Sequence, residues 1–243
     1  MVLFLTSSMS DAIDEELELY KLNEQNGFVT KLHQVLPSSI NILYIVSFPT
    51  DYEITDYYAN RMRKMYEKEF DVTSFIILDA RNQDHVKDYM KDADLIILSG
   101  GHVPTQNAFF QDLHLKDLIK DFEGVIIGAS AGSMNAADEV YAQPELEGEA
   151  ISKTHQRFIK GLALTTIQIL PHYHELKDMC VDGYRSIEDL AYLDSINHCF
   201  YAIPDGSYIL CKDGINTIYG EAYQIQDGSM KQICEEDKQV MIK

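Results

Sequence analysis

The chain has 243 residues, 46% of them hydrophobic and 24% charged. That composition excludes intrinsic disorder and lets the chain bury roughly 70–75% of the surface its unfolded form exposes. Its 39 acidic side chains outnumber 20 basic ones for a net charge of −19, which repels nucleic-acid phosphates and anionic lipid, so neither is an expected partner. No apolar run approaches the ~20 residues of a membrane-spanning helix, and the opening Met-Val-Leu-Phe-Leu-Thr lacks the length and basic flank of a signal segment. A cytoplasmic location is expected. Cys180, Cys199, Cys211 and Cys234 show no C-x-x-C spacing, which reads as packed, reduced thiols rather than a zinc or disulfide framework. No metal or cofactor is expected.

In chain order, Val2 to Thr6 reads as a strand and Asp11 to Val35 as a helix with acidic residues in its first turns. Ile40 to Ser47 is a continuous apolar run, as a strand buried on both faces should be. A helix from about Thr55 to Phe70 follows. Thr73 to Leu78, Asp94 to Ser99 and Gly124 to Gly128 read as further buried strands, with helices near His85 to Lys91 and Gln106 to Asp121. Strands alternating with helices predict an α/β fold with a mostly parallel sheet. After Ala137, an acidic stretch that includes Asp138, Glu139, Glu145, Glu147 and Glu149 reads as a surface excursion. Leu162 to Leu170 reads as a strand and Lys177 to Tyr192 as a helix. The Gly-punctuated runs Ser207 to Cys211, Thr217 to Tyr219 and Tyr223 to Gln226 read as an antiparallel C-terminal meander. No repeat or linker divides the chain, so residues 1–243 are expected to form a single domain.

The strongest chemical signal is Gly124-Val-Ile-Ile-Gly-Ala-Ser-Ala-Gly-Ser133, a strand running into Gly128-x-Ser130-x-Gly132. Small residues two before and two after the serine permit a sharp strand-to-helix turn that projects its hydroxyl outward, so Ser130 is the expected nucleophile. The alternative is a small-residue turn that binds phosphate at a helix N-terminus. Gly100-Gly101 closes the preceding strand at the sheet edge where ligands bind. The amides of Gly101 and Ala131 are the expected oxyanion donors. The expected base is His172, fixed just past a strand by Pro171, with His102 its rival. For the group that orients the imidazole, Asp138, Glu139, Glu145, Glu147 and Asp205 all remain open.

The glycine pair, the elbow Gly-Ala-Ser-Ala-Gly-Ser, the Pro-His172-Tyr turn and the late Ile203-Pro-Asp-Gly-Ser-Tyr-Ile-Leu, in that order, resemble the peptidase E and cyanophycinase family of serine peptidases. The resemblance spans nearly the whole chain. It implies a flavodoxin-like fold related to class I glutamine amidotransferases, and a Ser-His-acid triad acting on small peptides such as N-terminal aspartyl dipeptides. In the dipeptidases the acid follows the serine by fifteen residues, which falls here on Glu145 where those enzymes have Asp. Glu145 is therefore the expected acid; cyanophycinases take it from a later strand end, for which the nearest position is Asp205, the alternative. The resemblance also implies an arginine that holds the substrate carboxylate, for which Arg185 lies one residue short of the family spacing.

A glutamine amidotransferase would need a cysteine at the elbow, and none lies within forty residues of Ser130. An esterase using His198 with Asp189 or Asp194, and a binding protein with a degraded triad, remain as alternatives. Monomer and homodimer are both compatible with the sequence.

Overall fold

The runs Val2–Thr6, Ser39–Ile45, Asp71–Leu78, Leu95–Leu98 and Val125–Ala129 are strands. In the computed structural model, which describes residues 1–14 and 19–242, they pair in parallel in the order 2–6, 125–129, 95–98, 39–45, 71–78. Leu95, Ile96, Ile97 and Leu98 are all buried, as are Ile42, Leu43 and Ile45. Successive side chains point to opposite faces of a strand, so burial of consecutive residues means that both faces are covered. Three antiparallel strands, Tyr208–Lys212, Ile215–Tyr219 and Gln239–Ile242, extend the sheet beyond Val2–Thr6.

The chain leaves 39–45 toward 71–78 on one side and then crosses to 95–98 on the other. Such a reversal of strand order opens a crevice at the carboxyl ends of the strands it separates. Those ends carry Ser47 and the Ser99-Gly100-Gly101 turn. A second, four-stranded sheet contains Gln168–Leu170, Cys199–Ala202, Ala222–Gln226 and Ser229–Cys234. Its first two strands run parallel, with Ile169 beside Tyr201 and Leu170 beside Ala202.

Several elements differ from expectation. In place of one helix over 11–35 there is a hairpin of Ser10–Asp14 with Leu19–Leu22, then a short 3₁₀ turn, then a helix confined to Phe28–Val35. Residues 15–18 of that expected helix lie outside the described residues. The helix expected over 106–121 is two helices, Val103–Asp112 and Leu115–Ile119, broken where His114 takes φ 51°. Only Gln168–Leu170 of the stretch 162–170 is a strand. The helix expected over 177–192 is interrupted by Asp182-Gly183, with φ 53° and 85°, which turns Cys180–Val181 back on Tyr184–Arg185. Asp-Gly is a strong hairpin signal because both central residues of a type I′ turn need positive φ. A wide helical turn over Ser186–Ala191 follows. The expected meander exists as strands but is divided between the two sheets, since 222–226 and 229–234 join the smaller one.

Candidate active site

Ser130 sits between the strand Val125–Ala129 and the short helix Ala131–Asn135, with φ 48° and ψ −114°. This is a sparsely populated conformation for a residue with a side chain, and it persists only where the surroundings enforce it. A Cβ on Gly128 would lie 2.6 Å from Ser133 Cα, and one on Gly132 would lie 2.1 Å from the Leu98 carbonyl oxygen. Both positions are closed to any larger residue, which is the reason for the spacing of the motif. The Ser130 amide donates to the carbonyls of Thr6 and Ser7 at 3.0 and 3.1 Å. Ser133 Oγ accepts from the Thr6 amide at 2.8 Å and donates to the Thr6 carbonyl at 2.9 Å. The elbow is thereby stapled to the end of the neighbouring strand.

The glycine turn is fixed from behind. Ser47 Oγ donates to the Gly100 carbonyl at 2.5 Å, and Gln106 Nε2 donates to the Ser99 carbonyl at 2.6 Å. Asn135, fully buried on the elbow helix, donates to Gln106 Oε1 at 3.0 Å and to the Val103 carbonyl at 3.1 Å. Helix and turn therefore hold one relative position. Gly101 has φ 147°, and a Cβ there would be 2.5 Å from Ser47 Cβ. Neither the Gly101 nor the Ala131 amide donates to a protein acceptor among the described residues. Two free amides at the nucleophile suit a developing oxyanion.

His172 and Asp205 follow adjacent parallel strand ends. Past the register pair Leu170 and Ala202, Pro171 leads to His172 at φ 55° and Ile203-Pro204 leads to Asp205. His172 Nδ1 and Asp205 Oδ1 are 2.8 Å apart, which leaves the far nitrogen of the imidazole free. Ser7 closes this arrangement: its hydroxyl accepts from the His172 amide at 2.7 Å and donates to Asp205 Oδ1 at 2.5 Å. Burial alone would lower the His172 pKa, but the hydrogen bond and charge of Asp205, with the charges of Glu175 and Glu145 behind them, raise it. For Asp205 burial is likewise overcome, by the same imidazole and by Ser7, and its pKa is lowered. An imidazolium formed beside Asp205 is thus stabilised.

Ser130, His172, Glu145 and Gly101 line one pocket of about 190 Å³, together with Gln143, Glu175 and Met179. No hydrogen bond joins Ser130 Oγ to His172 in this resting geometry, a contact that often tightens only when substrate binds. Glu145, the position that the resemblance to the dipeptidases implies for the acid, makes no hydrogen bond to His172; Asp205 does. Burial pushes the Glu145 carboxyl up to about 7, with the nearby Glu149 charge adding to the effect and His172 opposing it. Its loop is pinned by Glu149, whose Oε2 accepts from the amides of Glu145 and Leu146 at 2.9 and 3.0 Å and whose Oε1 meets His102 Nε2 at 2.9 Å. His102 is occupied on its other nitrogen by Thr105 Oγ1 at 2.7 Å.

Arg185 is exposed and lies outside this pocket. Its Nε and Nη2 bond both carboxylate oxygens of Asp189 at 2.9 and 2.8 Å. The esterase grouping around His198 is not assembled either: His198 faces Glu139 at 3.3 Å, Asp189 holds Arg185, and Asp194 bonds Tyr141 and Arg157. Sequence reasoning missed Ser7, Ser47, Gln106 and Asn135. A hydroxyl directly after the first strand was the one visible cue, since that strand end must lie beside the elbow in a parallel sheet.

A mostly parallel α/β sheet carrying a serine at a strained strand-to-helix turn defines a class, the serine hydrolases built on a nucleophile elbow. The chain belongs to peptidase family S51, whose model matches residues 23–218, and it is a serine hydrolase of the peptidase E type. The fold is similar to that of a "putative peptidase E protein" from Listeria monocytogenes EGD-e, with a TM-score of 0.60 and 17% identity over 96% of this chain and 98% of that one. No curated protein matches. Among the described residues no helix is long and apolar enough to cross a membrane.

Proposed function

We propose that this serine peptidase hydrolyses small peptides through Ser130, His172 and Asp205. The observation that carries the reading is the 2.8 Å contact of His172 Nδ1 with Asp205, made at a pocket that also contains the strained Ser130. Ser130 Oγ attacks the peptide carbonyl while the free nitrogen of His172 takes its proton. Asp205 holds the imidazole in the required tautomer and stabilises the imidazolium. The Gly101 and Ala131 amides receive the oxyanion, and because the backbone already fixes both, little reorganisation is needed as charge develops. The tetrahedral intermediate then collapses, His172 returns the proton to the leaving amine, and a water activated by the same imidazole releases the acyl group. A pocket of about 190 Å³ favours a small acyl residue. Arg185 is given no role in this reading, since it is exposed outside the pocket and paired with Asp189.

A fluorophosphonate probe tests the nucleophile. Wild-type protein is expected to label at one site and Ser130→Ala not at all; labelling that survives the substitution refutes the assignment.

A further inference from the structure

One wall of the Ser130 pocket comes from a segment with neither helix nor strand. It runs between the strands Glu139–Tyr141 and Phe158–Lys160, and its Gln143 and Glu145 line the pocket. Backbone amides outside helix and sheet need other acceptors. Two carboxylates supply them here: Asp182 accepts from the amides of Gly148 and Ala150 at 2.8 and 2.9 Å, and Glu149 Oε2 from those of Glu145 and Leu146. Glu149 belongs to the acidic stretch expected as a surface excursion, yet its side chain is only 16% exposed. Its other oxygen, Oε1, reaches out of the loop to His102 Nε2 at 2.9 Å, with His155 Nδ1 at 3.6 Å.

Burial alone would raise the Glu149 pKa, but the amides of Glu145 and Leu146, together with His102, lower it. An ionised carboxylate only accepts hydrogen bonds, so His102 Nε2 donates. The ring is gripped on its other side by Thr105 Oγ1 at 2.7 Å, in the first turn of the helix Val103–Asp112. His102 directly follows Gly101, whose amide is one of the two oxyanion donors. Glycine does little to restrain its own backbone, so the direction of that amide depends on what holds the chain on either side. On the Gly100 side it is Ser47 Oγ on the carbonyl at 2.5 Å. On the far side it is the His102 ring, held between Thr105 and Glu149.

We infer that Glu149 is a positioning residue for the oxyanion site: through His102 it holds the Gly101 amide at Ser130, and through the amides of Glu145 and Leu146 it locks the pocket wall to the same turn. The inference rests on the serine peptidase reading above. Glu149 does not itself line the pocket, so it acts on the reaction through these contacts. An oxyanion donor is effective when it is already aimed as charge develops. Cutting the link therefore slows the chemical step and leaves binding nearly intact. The charges that raise the His172 pKa belong to Asp205, Glu175 and Glu145, and loss of the His102 ring leaves all three in place.

The rate of fluorophosphonate labelling tests this, because the phosphonyl oxygen takes the oxyanion position as Ser130 attacks. His102→Ala and Glu149→Ala are each expected to lower the saturating rate about 10- to 100-fold, less than the ~10²–10³ that outright loss of a donor costs. The half-saturating probe concentration should change less than about 3-fold, as for an interaction made only in the transition state. The double variant should be no slower than the slower single, since both residues act in one chain of contacts. His102→Gln, whose amide can donate to Glu149 in place of Nε2, should recover most of the rate, and His102→Ala should keep the midpoint of the wild-type pH profile. Rates within about 3-fold of wild type in both singles, losses that multiply in the double variant, weakened binding in step with the rate, a moved midpoint or no recovery in His102→Gln overturns the inference. If Glu149→Ala fails to fold, His102→Ala and His102→Gln, which keep the loop amides bonded to Glu149, decide it alone. Absent labelling of the wild type refutes the peptidase reading and the inference with it, whereas equal labelling of wild type and variants refutes the inference alone.

Discussion

Around Ser130 the geometry is enforced by backbone contact, whereas around His172 it is held by side-chain hydrogen bonds. At the elbow, absent Cβ atoms at Gly128 and Gly132 let the turn lie against Ser133 and Leu98, and the amide of Ser130 is tied to the end of a neighbouring strand. At the imidazole, three polar side chains from three distant segments meet: Ser7, His172 and Asp205. Steric exclusion demands a particular residue at a particular spacing, and so it leaves a local pattern. A hydrogen bond between strand ends demands only that the two ends meet.

Substitutions on the imidazole side sharpen this comparison. The largest effect is expected from Asp205→Asn, which should lower turnover by up to ~10⁴-fold, since removing the orienting acid leaves the wrong tautomer facing the nucleophile. Glu145→Gln should cost less than about 10-fold in the same assay. The reverse ranking would transfer the acid's role to Glu145 and break the comparison.

Glu145→Gln is expected to act on stability instead. A carboxyl whose folded pKa is about 7, above the ordinary value of a free side chain, binds its proton more tightly in the native state. The unfolded chain therefore holds fewer protons between about pH 4.5 and 7, and stability falls as pH rises through that window. At pH 8 the wild type loses up to about 3 kcal/mol in this way. Urea unfolding should show the Gln variant gaining on the wild type from pH 5 to pH 8; a difference that is the same at both values contradicts the burial of a nearly neutral carboxyl.

A smaller effect than that of Asp205→Asn is expected from Ser7→Ala, about 10-fold in kcat/KM, from loss of the bonds that seat the His172 amide and Asp205. It should shift the pH profile of kcat/KM as well, because Ser7 helps to set the carboxylate that raises the His172 pKa. Lowered activity with an unmoved profile would mark a purely structural role.

Much of the fold was legible because burial on both faces of a parallel strand requires consecutive apolar residues, as in Leu95-Ile-Ile-Leu and Ile42-Leu-Tyr-Ile. The hairpin of 180–181 with 184–185 departs from the expected helix because Asp182-Gly183 is a turn dipeptide, and the pairing of 10–14 with 19–22 replaces the helix expected there. Gly128-x-Ser130-x-Gly132 was legible for the steric reason given above.

By itself, the sequence determined the class of sheet, the serine on its turn, and the two glycine-rich loops that must stand beside it. Only the tertiary structure decided that Asp205 bonds His172 while Glu145 faces the same pocket unbonded. Parallel pairing of Gln168–Leu170 with Cys199–Ala202 is a contact between segments about thirty residues apart, and nothing local in either segment specifies its partner.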